Sequence, residues 1–268
     1  MGRPTWGGIV QHHRTVPRTA YLASTPSGKD RVRLFCFHHA GGGASAFAGF
    51  ERALADRIDV VRVQLPGREG RIGQRLPPRM ADIVTELDAH LDPYLTGDYA
   101  FYGHSMGALV AHDLAARRQA RGANLPSRLI AAACRAPHLP PAFAALHDGT
   151  DEVLIRTMTD IGGLSPALLG RPEWVRAAVS LTRGDLRLCA GRDTTPGEPL
   201  RCAIDVFHGE DDPLVSAGQA RGWARRTAGA FGWHTFEGGH FFQLGPAADV
   251  VARAIARLLV KAALPGVR

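Results

Sequence analysis

The apolar run Tyr99-Ala100-Phe101-Tyr102 passes straight into Gly103-His104-Ser105-Met106-Gly107 and leaves it as a second apolar stretch. A chain makes that passage through a sharp strand-to-helix turn, in which backbone crowds backbone and only small side chains fit at the flanking positions. Such turns sit at the C-terminal edge of a mainly parallel sheet. A chance G-x-S-x-G match is the competing reading, and the strand before it and the helix after it argue against that.

The rest of the chain has the alternation that such a sheet requires. Strand-like runs at Val32–Phe37, Val60–Leu65, Tyr99–Gly103, Leu129–Cys134, Ala203–His208 and Phe231–Phe236 are interleaved with helix-like segments. The helices fall around Phe47–Ala55, Ile83–Leu91, Met106–Arg121, Ala217–Arg226 and Ala247–Leu259. Ile83, Leu87 and Leu91 recur at helical spacing, as do Val250, Ala254 and Leu258, so each of these helices has one apolar face to lay on the sheet. The expectation is an α/β fold, specifically the α/β-hydrolase fold, with a mainly parallel sheet flanked by helices.

Residues 135–202 are too long for a plain crossover, and helical stretches near Glu152–Thr159 and Glu173–Leu181 lie inside them. They are expected to form an inserted helical lid, with residues 31–134 and 203–268 as the core. Residues 1–30 lack periodic apolar spacing and are expected as a loose N-terminal arm.

Composition excludes several classes. No apolar run reaches membrane-spanning length, and Met1 to Ala20 lacks the apolar centre of a signal peptide, so no membrane association and a cytoplasmic location are expected. Cys36, Cys134, Cys189 and Cys202 are scattered, which argues for free, mostly buried thiols and for neither a metal site nor a disulfide framework. The net charge of +7 comes from dispersed arginines with no basic run or nucleic-acid-binding pattern, so they are expected as a solvated surface and no nucleic-acid partner is expected. Such a surface could still steer an acidic protein partner.

Chemistry concentrates in three loops. Ser105 stands where a helix N-terminus and the Met106 N–H favour a developing oxyanion. A serine hydroxyl needs a base, and the base an orienting acid, in the chain order Ser, acid, His. Glu210, Asp211 and Asp212 compete for the acid in the loop after Ala203–His208. Asp212 is preferred because Gly209, Asp212 and Val215 make G-x-x-D-x-x-V, and Asp211 is the runner-up. In Glu237-Gly238-Gly239-His240 the glycines let the loop carry His240 over the serine, as the base. Of the other histidines, His12 and His13 lie in the arm, His90 and His112 on helices, and His38 and His39 in the first loop, where structural roles suffice. Glycines 41–43 allow close backbone approach, making the Ala40 N–H the candidate second oxyanion donor beside that of Met106; a phosphate loop would need a G-K-[ST] ending, which is missing. Gly103, His104, Gly107 and Gly239 are expected to support these turns.

Taken together, the sequence resembles the stand-alone type II thioesterases of polyketide and nonribosomal peptide synthetases. The resemblance runs from about Arg31 to Leu259. It rests on Cys36-Phe37-His38-His39-Ala40-Gly41-Gly42-Gly43-Ala44-Ser45, Gln64-Leu65-Pro66-Gly67-Arg68-Glu69, Ala136-Pro137-His138-Leu139-Pro140 and Gly238-Gly239-His240-Phe241-Phe242, besides the triad. His38 departs from it, standing where the family commonly has proline. The resemblance implies removal of stalled acyl groups from the phosphopantetheine arms of acyl or peptidyl carrier proteins, monomeric action, no metal and no cofactor of the enzyme's own. Two other enzymes share such a triad, a small-molecule carboxylesterase and an acyltransferase. A binding protein that merely keeps the fold would have no reason to retain Ser105, Asp212 and His240 in order.

Overall fold

The computed structural model describes residues 18–27, 30–142, 146–164 and 166–260. Six strands make one sheet: β1 (Arg33–Phe37), β2 (Asp59–Arg62), β3 (Tyr99–His104), β4 (Arg128–Ala132), β5 (Ala203–Gly209) and β6 (Phe231–Phe236). Their order is β2-β1-β3-β4-β5-β6, and every neighbouring pair is parallel. The helices are α1 (Ala48–Leu54), α2 (Met80–Leu91), α3 (Met106–Ala120), α4 (Asp151–Asp160), α5 (Pro166–Leu169), α6 (Pro172–Ala190), α7 (Ala217–Arg221) and α8 (Ala248–Leu259).

The period of two along each strand builds a core on both faces. Phe35 and Phe37 of β1 with Tyr99 and Phe101 of β3 point into one layer, where they meet Ile83 and Leu87 of α2 and Leu114 of α3. Leu34, Cys36, Ala100 and Tyr102 point the other way, onto Phe50 and Leu54 of α1 and Val251 and Ile255 of α8. Burial on both faces is why these strands read as unbroken apolar runs. The connections from β1 and β3 leave in opposite directions along the sheet, so a crevice opens above the C-terminal ends of this adjacent pair.

Several expectations shift at their edges. The helix expected at Ala217–Arg226 is α-helical only to Arg221 and continues as a 3-10 turn over Gly222–Arg226. β2 stops at Arg62 instead of Leu65, because the next residue, Val63, bridges antiparallel to Leu22. That bridge also corrects part of the loose arm. Residues 18–27 lie along the sheet edge, with Tyr21 buried, its hydroxyl donating to Glu86 and its carbonyl accepting from Gln64 N–H at 2.8 Å. A buried ring and a covered strand edge outweigh the lack of periodicity there. Residues 1–17, 28 and 29 of the expected arm fall outside the described residues.

Within residues 135–202, α4 and α6 share a small apolar cluster of Leu154, Met158, Leu164, Val179 and Leu186. α6 is longer than the expected Glu173–Leu181, starting with Pro172 in its first turn, a position that lacks an intrahelical acceptor for N–H.

The arginines are not all solvated, contrary to expectation. Arg68, Arg71, Arg118 and Arg226 are buried. Arg118 meets the Asp88 and Asp92 carboxylates at 3.0 and 2.8 Å, and Arg71 donates to the Gln64 carbonyl at 2.9 Å. A guanidinium can be buried where its donors find such acceptors.

Candidate active site

Ser105 occupies the turn between β3 and α3 with φ 52° and ψ −118°, a conformation that a residue with a side chain adopts only when its surroundings force it. The forcing groups are visible. Ser105 N–H is held by the Ala132 carbonyl at 2.8 Å. A Cβ on Gly103 would stand 2.3 Å from the Gly107 oxygen, and one on Gly107 only 2.0 Å from the Phe37 oxygen. The start of α3 therefore presses on the end of β1, and glycine at both positions is the condition for it. Ser105 and Met106 end up at the helix N-terminus, facing a pocket.

His240 lines the same pocket and is 3% exposed. Its Nδ1 meets Asp212 Oδ2 at 2.9 Å and Oδ1 at 3.2 Å. Asp212 Oδ1 also accepts the Leu214 and Val215 N–H groups at 2.9 and 3.3 Å, so the turn after β5 clamps the carboxylate that faces the imidazole. Its side chain is wholly buried, whereas Glu210 and Asp211 are exposed. Of the three competing acids, Asp212 is the one that reaches His240. Gly209 makes this approach possible, since a Cβ there would lie 2.4 Å from the Gly239 oxygen.

Sequence reasoning left the surroundings of His240 unassigned. His104 packs edge-on against it at 5.2 Å between ring centroids, Phe241 stacks on His104 at 5.4 Å, and His39 meets Phe241 at 4.8 Å. Burial, followed by the nearby His240, lowers the His39 pKa to about 4 and takes His104 well below the usual range. Both rings are neutral near pH 7, so they add no charge to compete with one forming on His240. His39, expected to play only a structural part in its loop, instead lines the pocket. The glycines beside it were the only local signal that this loop approaches something closely.

Ala40, the other expected oxyanion donor, also lines the pocket. The loop that carries it is fixed from two sides. Asp185 of α6 accepts Gly41 N–H at 2.7 Å, while Arg68, from the loop after β2, donates to the Gly42 carbonyl at 3.1 Å. Gln64 accepts Ala44 N–H at 2.9 Å, and Glu69 accepts from the Ser45 hydroxyl at 2.6 Å. Arg68 and Asp185 are themselves paired and buried. This gives the Gln64–Glu69 motif a physical role: it holds the loop after β1. The sequence signal for its partner is Asp185 itself, an acid followed on α6 by Leu186, Leu188 and Cys189.

Beyond Ser105 the pocket turns apolar, walled by Leu139, Leu154, Met158, Ile161 and Leu186 under α4 and α6. Cys134 and Cys189 also line it. All four cysteines are free and buried, and burial pushes the Cys134 thiol up to about 12. The structure thus gathers Ser105, Met106, Ala40 and His240 around one space, with Asp212 behind His240. Gly103, His104, Gly107 and Gly239 stand behind that surface as packing partners. Among the described residues, no group of three or more His, Cys, Asp or Glu side chains could hold a metal ion, and no helix is long and apolar enough to cross a membrane. The groups present suit acyl transfer through a serine.

The family model described as "Thioesterase domain" matches residues 32–259. A "Probable cadicidin biosynthesis thioesterase" from Streptomyces griseus is 37% identical over 237 residues, which are 87% of this chain and 64% of that protein. Among solved structures, the type II thioesterase BorB from the borrelidin biosynthetic cluster aligns with a TM-score of 0.79 at 34% identity, covering 88% of this chain and 95% of that one. RedJ, a thioesterase from the prodiginine biosynthetic pathway in Streptomyces coelicolor, aligns at 37% identity with a TM-score of 0.79 over 84% of this chain and 85% of its own. The shared architecture is the α/β-hydrolase fold, as expected.

Proposed function

The chain belongs to the thioesterase family, and on that premise we propose that it hydrolyses acyl thioesters carried on the phosphopantetheine arms of acyl or peptidyl carrier proteins, clearing stalled polyketide or nonribosomal peptide assembly lines. The observation that carries the reading is one pocket that holds Ser105 and His240 and is otherwise walled mostly by apolar side chains, a lining that suits a reactive carbonyl with an acyl chain attached.

In this reading His240 Nε2 takes the Ser105 proton as the oxygen attacks the thioester carbonyl. Asp212 holds the other nitrogen as a donor and stabilises the imidazolium. The Ala40 and Met106 N–H groups bind the oxyanion. Collapse of the tetrahedral intermediate breaks the C–S bond, His240 returns the proton to the leaving thiolate, and an acyl-serine remains. His240 then draws a proton from water as it attacks the ester, and returns that proton to Ser105 Oγ as the C–O bond breaks and the acid is released. Residues 135–202 act as a lid over the acyl chain, set on a core of residues 31–134 and 203–268. The enzyme works as a monomer in the cytoplasm and needs no metal or cofactor of its own.

The test compares hydrolysis of an acyl group on a phosphopantetheinylated carrier protein with that of the matching oxygen ester, using wild type and Ser105→Ala. Strong preference for the carrier-bound thioester, abolished by Ser105→Ala, is the expected result. Preference for the oxygen ester would reassign the protein as a carboxylesterase, and full activity in Ser105→Ala would remove the mechanism.

A further inference from the structure

Beside the acyl pocket runs a groove between α3 and residues 191–201. Arg79, Arg117, Arg192, Arg201 and Arg226 line it together with Asp113, Asp193 and Glu198, and Arg192 and Thr194 line the acyl pocket as well, so the two spaces adjoin there. Most of these charges are answered within the protein. Arg117 meets Asp88 at 3.2 Å, and Arg192 grips Asp113 through Nε at 2.7 Å and Nη2 at 2.5 Å.

Arg226 is answered only in part. The residue is 6% exposed, its Nη2 donates to the Gly197 carbonyl at 2.9 Å, and its Nε is buried with no hydrogen-bond partner. Among the described residues, no carboxylate forms an ion pair with it. His112 Nε2, on the same groove, is also buried without a partner. Asp113 is already engaged by Arg192 and by His112 Nδ1 at 2.9 Å. Burial and the neighbouring Arg192 both disfavour the Arg226 charge. A guanidinium does not shed its proton in a protein, so a buried one calls for a counter-charge. Asp193 and Glu198 also line the groove but are exposed to solvent, so among its shielded charges Arg192 and Arg226 set against Asp113 leave Arg226 without an ion pair.

We propose that this groove seats the phosphodiester of the phosphopantetheine arm, with the phosphate against Arg226, Arg201 at the exposed rim, and the arm running past Arg192 and Thr194 so that its thioester reaches Ser105. A phosphodiester carries a single negative charge, which matches the unpaired positive charge of Arg226. Its oxygens only accept hydrogen bonds, which suits the guanidinium donors of Arg226 and Arg201. The proposal rests on the thioesterase reading above, because that reading supplies the arm.

The experiment measures KM for S-acyl phosphopantetheine and for the same S-acyl pantetheine without phosphate, in wild type, Arg226→Gln and Arg201→Gln. In wild type the phosphorylated substrate has a KM lower by about tenfold or more, the range of one charge-assisted hydrogen bond. Arg226→Gln brings the ratio of the two KM values to about one, and Arg201→Gln reduces it by a smaller factor. In case Arg226→Gln does not fold, inorganic phosphate is titrated against wild type, where it raises KM for the phosphorylated substrate and not for the other. Brisk hydrolysis with equal KM values, or a ratio that survives in folded Arg226→Gln, overturns the groove assignment. Hydrolysis of neither substrate overturns the thioesterase reading on which it stands.

Discussion

The guanidinium of Arg68 grips the carboxylate of Asp185 in two parallel bonds, Nη1 to Oδ2 at 2.7 Å and Nη2 to Oδ1 at 2.8 Å, with both side chains sealed from solvent. Asp185 rides on α6, and its Oδ2 also holds the Gly41 N–H next to Ala40. A helix from residues 135–202 is thereby fastened to the loop after β1. Removing one partner strands a buried charge, so Asp185→Ala costs about 3–5 kcal/mol in urea unfolding, while the double change Arg68→Met, Asp185→Leu recovers most of it. In the single variant, kcat falls by about tenfold or more as the Ala40 amide loses its placement.

Asp212 and Asp211 are neighbours in sequence with different consequences. Asp212→Asn leaves the imidazole without its anionic partner and lowers kcat/KM by roughly 10³–10⁴-fold, the scale of losing the acid of a Ser-His-Asp triad. Asp211→Asn, on an exposed side chain, changes it by less than about threefold. A steady-state assay of both variants checks the pair.

Ser105 is held at φ 52° with a Cβ that disfavours it. Ser105→Gly and Ser105→Ala both abolish turnover, but only glycine relieves the strained backbone. The glycine variant unfolds at higher urea concentration than the alanine variant, by about 1 kcal/mol.

Gly107 is the tightest contact of the turn, since a methyl group there would meet the Phe37 oxygen at 2.0 Å. That partner is backbone in β1 and cannot swing away. Gly107→Ala therefore destabilises by about 1–3 kcal/mol or prevents folding, read by circular dichroism and urea unfolding.

Acid weakens the protein through its buried histidines. An unfolded histidine takes up a proton near pH 6.5, whereas folded His39 does so at about 4. Between those values the unfolded chain binds more protons, so this stabilisation is full above pH 6.5 and is lost as pH falls toward 4. Urea midpoints measured from pH 7 to pH 4.5 decline, and His39→Gln flattens the slope.

The sequence disclosed whatever local rules control. The strand and helix periods gave the two-faced sheet, and Gly103 to Gly107, Gly209 to Val215 and Gly238 to His240 marked the three loops, because each needs glycine where backbones nearly touch. What it withheld depends on distant partners. Nothing near Arg68 pointed to Asp185, which is 117 residues away, and nothing near Tyr21 announced that it would be buried on the edge of β2. The arginines looked like a solvated surface because burying a guanidinium is acceptable only when acceptors from elsewhere converge on it.

Cys134 and Cys189 face the space in which an acyl-serine would wait for water. A thiolate there would be a stronger nucleophile than water and could carry the acyl group off to a second thioester. With the Cys134 thiol held up to about 12 by burial, and that of Cys189 also raised, both sulfurs keep their protons and stay chemically silent. The same apolar walls that would accept an acyl chain thereby remove an internal competitor for it.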